Sequence, residues 1–174
     1  MNVRFAFALS SLAAVALVGC ASHQSGNRAT AQLEPTRGNT TSGTVAFVQT
    51  RDGVQVSGEV RGLKPDAEHG FHIHEKGDCS SGDGMSTGGH FNPTGKAHGS
   101  HGAGDHHTGD LPSLKANKQG VATFSFVSHS ISVAGPTTDI VGKGLIVHRD
   151  PDDYKTQPTG NAGPRVACAV ITAK

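Results

Sequence analysis

The sequence predicts an all-β domain, either a sandwich or a barrel, and three observations lead to this prediction. Short alternating runs rich in β-branched and aromatic residues recur along the chain from residue 44 onward. Glycine and proline, 24 and 8 of the 174 residues, separate these runs at turns. No stretch carries a sustained helical period. Short strands with glycine-rich turns are typical of sandwiches and barrels.

The first two predicted strands form a hairpin. Residues 44–50 and 54–60 alternate in polarity, and Arg51-Asp52-Gly53 joins them with an Asp-Gly pair that favours a tight turn. The further predicted strands cover residues 71–75, 121–127, 145–148 and 165–172.

Two long segments interrupt this pattern. Residues 77–111 are rich in Gly, His, Ser and Asp, and residues 149–164 are also irregular. Long loops inside a compact domain are usually either functional or disordered. Both segments lie next to histidines, so we predict that both are functional loops.

The N-terminus predicts export. Arg4 precedes an apolar stretch, residues 5–18, that is too short to span a bilayer as a stable helix. Leu17-Val18-Gly19-Cys20 resembles the lipobox of bacterial lipoprotein precursors, which implies cleavage before Cys20 and a lipid on its thiol. We therefore expect a lipoprotein signal over residues 1–19 and a periplasmic, membrane-anchored protein of the bacterial cell envelope. An ordinary secretory signal is the alternative.

The segment after the signal is small and polar. Residues 21–41 show no periodicity, so we expect Cys20 and this segment to form a lipidated, flexible tether to a single domain over residues 42–174. The 15 Lys and Arg nearly balance the 14 Asp and Glu, which argues against nucleic acid as a general partner. Any contact with a membrane is then expected only through the anchor.

The cysteines predict one disulfide. Of the three in the chain, setting Cys20 aside leaves Cys79 and Cys168. Disulfides persist in exported proteins, so these two are expected to pair. Two free buried thiols are the alternative.

Eleven histidines predict metal binding. His72 and His74 lie two apart in a predicted strand and project from one face, while Phe71 and Ile73 face the core. His148 ends another predicted strand. The first loop adds further donors: His90, His98, His101, His106, His107 and Asp110. Imidazoles with one carboxylate suit zinc, and imidazole also suits copper. The spacing predicts one or two imidazole-rich sites but specifies neither copper nor redox chemistry.

Five motifs resemble those of the copper,zinc superoxide dismutase family. They are Gly-Phe-His-Ile-His-Glu at 70–75, Gly-Gly-His-Phe-Asn-Pro at 88–93, His-Thr-Gly-Asp-Leu-Pro at 107–112, Ile-Val-His at 146–148 and Gly-Asn-Ala-Gly-Pro-Arg-Val-Ala-Cys at 160–168. The resemblance extends from residue 44 to the C-terminus in the family's order. It implies a Greek-key β-barrel of about eight antiparallel strands. It also implies an antioxidant enzyme that converts superoxide to dioxygen and hydrogen peroxide with one copper and one zinc ion per subunit.

The resemblance also implies roles for individual residues. The copper ligands would be His72, His74, His90 and His148, and the zinc ligands would be His90, His98, His107 and Asp110. Asp152 would bind no metal itself but would link a histidine of the copper ligands to a histidine of the zinc ligands. Cys79 would form a disulfide with Cys168. Arg165 beside the copper and the shared His90 would be the catalytic residues.

Some features depart from the family pattern. The loop between His148 and Arg165 is shorter than in cytosolic eukaryotic members and lacks their acidic pair and lysine; Lys155 is either a substitute or a solvated side chain. His101 and His106 match no ligand position, and either trap metal during loading or are solvated. The segment between Cys79 and His90 is longer than in eukaryotic members, so a homodimer is possible but does not follow.

Two other functions fit part of the pattern. A dismutase-like domain that stores or delivers metal would be expected to lack part of the copper set. A zinc hydrolase would need a general base and a substrate pocket.

Overall fold

A computed structural model describes residues 27–174 together with Met1. The predicted signal segment, Cys20 and residues 21–26 lie outside this range. The described residues form ten strands and one short 3₁₀ turn, Met85–Thr87. The strands are β1 Arg28–Pro35, β2 Ser42–Gln49, β3 Val54–Arg61, β4 Glu68–His69, β5 Phe71–His74, β6 Leu114–Lys115, β7 Ala122–Ser128, β8 Gly144–His148, β9 Arg165–Val170 and β10 Thr172–Ala173. Among the described residues no helix is long and apolar enough to span a membrane.

The main sheet is antiparallel and curls into a barrel-like shape. Its strands follow the order β5-β8-β9-β1-β2-β3-β7, and β10 pairs with β1. The short β4 and β6 pair with each other in a separate two-stranded sheet, and β6 lies against β7. The chain crosses from β3, by way of β4, to β5, and later from β7 to β8; both crossings connect opposite sides of the sheet order. These two crossings make a Greek-key barrel, as predicted.

The first hairpin is confirmed. Gln49 is opposite Val54, and the Thr50 N–H donates to the Gly53 carbonyl at 2.8 Å. Gly53 has φ +136°, a conformation that favours glycine. In β2 the buried Val45 and Phe47 alternate with side chains that face solvent, so the period of two holds.

The predicted tether is wrong over β1. Residues 28–35 form a central strand between β2 and β9, not a flexible linker. Ala29, Ala31 and Leu33 alternate with polar residues and are buried against the core. Alanine is a weak strand signal, which is why this short alternation did not predict a strand. The folded domain therefore includes residues 28–35 and does not begin at residue 42.

Candidate metal centre

Strand β5 presents two histidines on its outer face. His72 and His74 are fully buried beneath the long loop that follows, while Phe71 and Ile73 pack into the barrel core. The alternation matches the prediction from the sequence. Burial of the outer face distinguishes these histidines from a solvated pair.

The long loop returns to lie along β5. Isolated backbone bridges place His90 opposite His74 and Asp110 opposite His72. Gly109 lies so close to the strand that an added Cβ would be 2.2 Å from a strand carbonyl oxygen. The loop is therefore held against the strand by its backbone, and its donor side chains meet those of β5.

The first group that results contains four buried histidines, His72, His74, His90 and His148. One ring nitrogen from each lies within 4.8 Å of the others. The β8–β9 register shifts between Val147 and His148. Such a bulge changes the direction of a side chain, and here it lies at the strand residue that joins the group.

Hydrogen bonds define which nitrogen of each ring is available. The other nitrogens donate to protein oxygens: His72 Nε2 to Asp152 (2.7 Å), His74 Nδ1 to the Gly88 carbonyl (2.9 Å), His90 Nδ1 to Asp110 (2.8 Å) and His148 Nδ1 to the Gly163 carbonyl (3.0 Å). His72 Nδ1 and the Nε2 atoms of the other three rings are buried without a protein partner. Each ring is therefore oriented with one lone pair toward the group, which is how histidines bind metals.

Three of these rings, His72, His74 and His148, are neutral near pH 7. Burial lowers the pKa of His72 to about 4, against the opposing effect of its bond to Asp152. Burial likewise lowers the pKa of His148 to about 3 and that of His74 well below its usual range. Neutral imidazole is the form that coordinates a metal ion.

The second group contains His90, His98, His107 and Asp110, with donor atoms again within 4.8 Å of one another. Burial alone would raise the pKa of Asp110, but the bonds and charges of His90 and His98 hold it well below its usual range. Burial opposes charge on His98, yet bonds to Asp110 and Asp152 raise its pKa to about 9. This pocket therefore favours positive charge beside its carboxylate.

Asp152 links the two groups. Its two carboxylate oxygens accept hydrogen bonds from His72 Nε2 at 2.7 Å and from His98 Nε2 at 2.9 Å. Gly160, with φ +68°, lies against this pair: an added Cβ would be 1.9 Å from the carboxylate. Only glycine fits here. Asp152 therefore contacts one histidine of each group.

Arg165 lies beside the first group. It is opposite His148 in the β8–β9 ladder, and its charge contributes to lowering the pKa of His74 and His148. Its guanidinium donates to Thr87 Oγ1 at 2.8 Å and to the Gly88 carbonyl at 2.7 Å, both in the loop that leads to His90.

The predicted disulfide is present. Cys79 and Cys168 are bonded, with their Cα atoms 6.0 Å apart. The bond joins the long loop to β9 close to Arg165.

The other histidines in the described part of the chain lie outside both groups. His101 and His106 donate from Nδ1 to the carbonyls of Asp110 and His107, at 2.9 and 2.7 Å. Lys155 is exposed. His69, to which the sequence assigned no role, is buried and donates from Nδ1 to the His148 carbonyl at 2.9 Å. Its contact depends on tertiary packing, and no local pattern signals it.

The geometry supports two adjacent metal sites that share His90. Four imidazoles suit a copper ion, while three nitrogens and one carboxylate suit a closed zinc site. Buried polar atoms without partners are costly, at about 1–3 kcal/mol each, so six of them in two groups fit cation binding.

Comparisons with known proteins agree with this geometry. A family model described as copper/zinc superoxide dismutase (SODC) matches residues 41–171. A superoxide dismutase (Cu-Zn) of Paramecium bursaria Chlorella virus 1 is 43% identical over 135 residues, which are 74% of this chain and 71% of the relative.

Two solved structures are also similar. The clock protein EA4 has a TM-score of 0.77 at 41% identity, with 85% of this chain and 95% of that chain covered. A double mutant of a SOD-like protein from Bacillus subtilis, with two introduced histidines, has a TM-score of 0.75 at 36% identity, with 82% and 96% covered.

Proposed function

This chain is a superoxide dismutase of the copper/zinc family, and we propose that its two adjacent groups hold the two metals in separate roles. Copper would be bound by His72, His74, His90 and His148, and zinc by His90, His98, His107 and Asp110. The observation that carries this assignment is the single shared residue, His90, between an all-imidazole group and a group with a carboxylate. The substrate is superoxide, and the products are dioxygen and hydrogen peroxide.

Bound copper would supply the one-electron redox chemistry, whereas zinc has none and would organise the site. Three rings of the first group, those of His72, His74 and His148, are oriented by hydrogen bonds from their other N–H to protein oxygens. His90 Nε2 faces the first group, so it is the atom that would take up a proton and pass it to the reduced product. His90 Nδ1 lies 2.8 Å from Asp110 in the second group, so it is the atom that would give up its proton and bind zinc there.

Arg165 would bind and orient the anionic substrate. A guanidinium stays charged and presents several N–H donors in one plane, which suits a small oxyanion. Its bonds to Thr87 and Gly88 fix it beside the first group. Its charge would also raise the encounter rate with superoxide, and superoxide dismutases are a standard example of such electrostatic steering.

We place this activity in the bacterial cell envelope. The lipobox-like segment that ends at Cys20 supports export and a lipid anchor, and the Cys79–Cys168 disulfide is typical of an oxidising compartment. Radiolabelled palmitate tests the anchor: the wild type should incorporate label and Cys20→Ala should not. Unlabelled wild type in the periplasmic fraction would instead indicate an ordinary secretory signal.

Pulse radiolysis tests the enzyme. The full chain, loaded with copper and zinc, should accelerate superoxide decay to near the diffusion limit, and His148→Ala should lose most of that rate because it removes one of the four ligands in the first group. His129→Ala, which changes an exposed histidine outside both groups, is the control and should match the wild type. Wild type that binds both metals yet barely exceeds spontaneous dismutation would instead indicate metal storage or delivery.

A further inference from the structure

Gln157 is an exposed residue of the loop between β8 and β9, and its side chain bonds to the backbone of His98, a residue of the second group. Its Oε1 accepts a hydrogen bond from the His98 N–H at 2.8 Å, and its Nε2 donates to the His98 carbonyl at 2.9 Å. The two residues are 59 positions apart. The side-chain amide therefore pairs with both backbone groups of His98, as a neighbouring strand would.

His98 has no strand to support it. It is buried, yet it lies in an irregular part of the long loop, and among the described residues Gln157 is the partner found for its backbone N–H and C=O. Buried backbone groups need hydrogen-bond partners, and the Gln157 amide supplies those that a neighbouring strand would otherwise provide.

The same loop also holds the ring of His98. Asp152, five residues before Gln157, accepts from His98 Nε2 at 2.9 Å. One short segment thus fixes both the backbone and the ring, and it leaves Nδ1 directed at Asp110, 3.0 Å from its Oδ2. A shift of the backbone would move Nδ1 away from the group even with the Asp152 bond intact.

We propose that Gln157 is a positioning residue that tunes zinc affinity by fixing the backbone of His98. The inference rests on the proposed zinc assignment of the second group. Gln157 touches no metal-binding atom, and its exposed side chain has no packing role in the core. Its removal should therefore affect zinc binding more than folding.

The test compares zinc binding by the full chain and by Gln157→Met, which keeps the side-chain length but removes the amide. Competition with a chromophoric zinc chelator should show about tenfold weaker zinc binding in the variant, the lower end of what loss of an outer partner costs. Copper affinity, measured on zinc-free protein, should change less than about twofold, a difference that general destabilisation would not produce.

Gln49→Met is the matched control. The Gln49 amide also pairs with backbone groups, since its Oε1 accepts from the Val133 N–H at 2.9 Å and its Nε2 donates to the Gly53 carbonyl at 3.3 Å. It lies at the end of β2, on an element that carries no site residue. This variant should bind zinc like the wild type.

Equal zinc affinity in the wild type and Gln157→Met would overturn the inference, as would equal losses of zinc and copper affinity. A wild type that binds no zinc would overturn the zinc assignment itself, and the inference with it. Hydrogen exchange provides a check that needs no variant: the His98 amide should exchange slowly, and rapid exchange would contradict the Gln157 bond.

Discussion

Replacing Leu33 by alanine tests whether β1 belongs to the folded domain. Leu33 is fully buried, and the residue opposite it in β2 is Gly43, which has no side chain to move into the space. The substitution removes three carbons, about 2.4 kcal/mol of transfer free energy at about 0.8 kcal/mol each. A cavity that cannot collapse adds to this, so we expect a loss of about 3–4 kcal/mol in the free energy of unfolding.

Urea denaturation of the metal-loaded full chain measures this loss, and Gln32→Ala is the control. Gln32 is the adjacent, exposed residue of the same strand, and its Oε1 accepts a hydrogen bond from Thr44 Oγ1 at 2.8 Å. Its substitution should cost less than about 1 kcal/mol. In a flexible tether the two variants would behave alike. A Leu33→Ala protein within about 0.5 kcal/mol of the wild type would refute the placement of β1 in the sheet.

Two further predictions concern the site. Arg165→Ala should lower kcat/KM for superoxide by about tenfold or more, and kcat/KM should then depend less on ionic strength. Arg165→Lys keeps the charge, so it should lose less activity than Arg165→Ala; equal losses in the two variants would contradict a steering role. In the metal-free protein, stability should fall as pH decreases from 6.5 toward 4, because the unfolded chain then binds protons that folded His72, with its pKa lowered to about 4, does not. The raised pKa of His98, about 9, adds stability that is lost as pH rises from 6.5 through 9, so urea midpoints of the metal-free protein should be highest near pH 6.5.

Most of the barrel could be predicted from local patterns. The hairpin of β2 and β3 follows from alternation and an Asp-Gly turn, and the structure reproduces it with the expected register. Strand β1 could not be predicted in this way because its inward residues include Ala29 and Ala31, whose small side chains carry little strand signal. The two-residue strands β4 and β6 are too short to show a period at all.

The metal centre, too, could be predicted only in part from the sequence. The residues of both groups could be named from motifs, and the structure brings them together within 4.8 Å. The groups that orient them could not, because backbone carbonyls such as those of Gly88 and Gly163 leave no trace in residue identity. Gln157 illustrates the same limit: its role depends on a contact 59 positions away along the chain.

The buried nitrogens imply that metal binding and folding are coupled. Of the buried side-chain nitrogens without a partner among the described residues, all but His69 Nε2 belong to the two groups. Their desolvation opposes folding of the metal-free chain, so metal binding should stabilise the fold. The disulfide and the Arg165 bonds hold the long loop to β9 without using any of those nitrogens. These contacts hold the loop and leave the donor nitrogens of both groups available for metal ions.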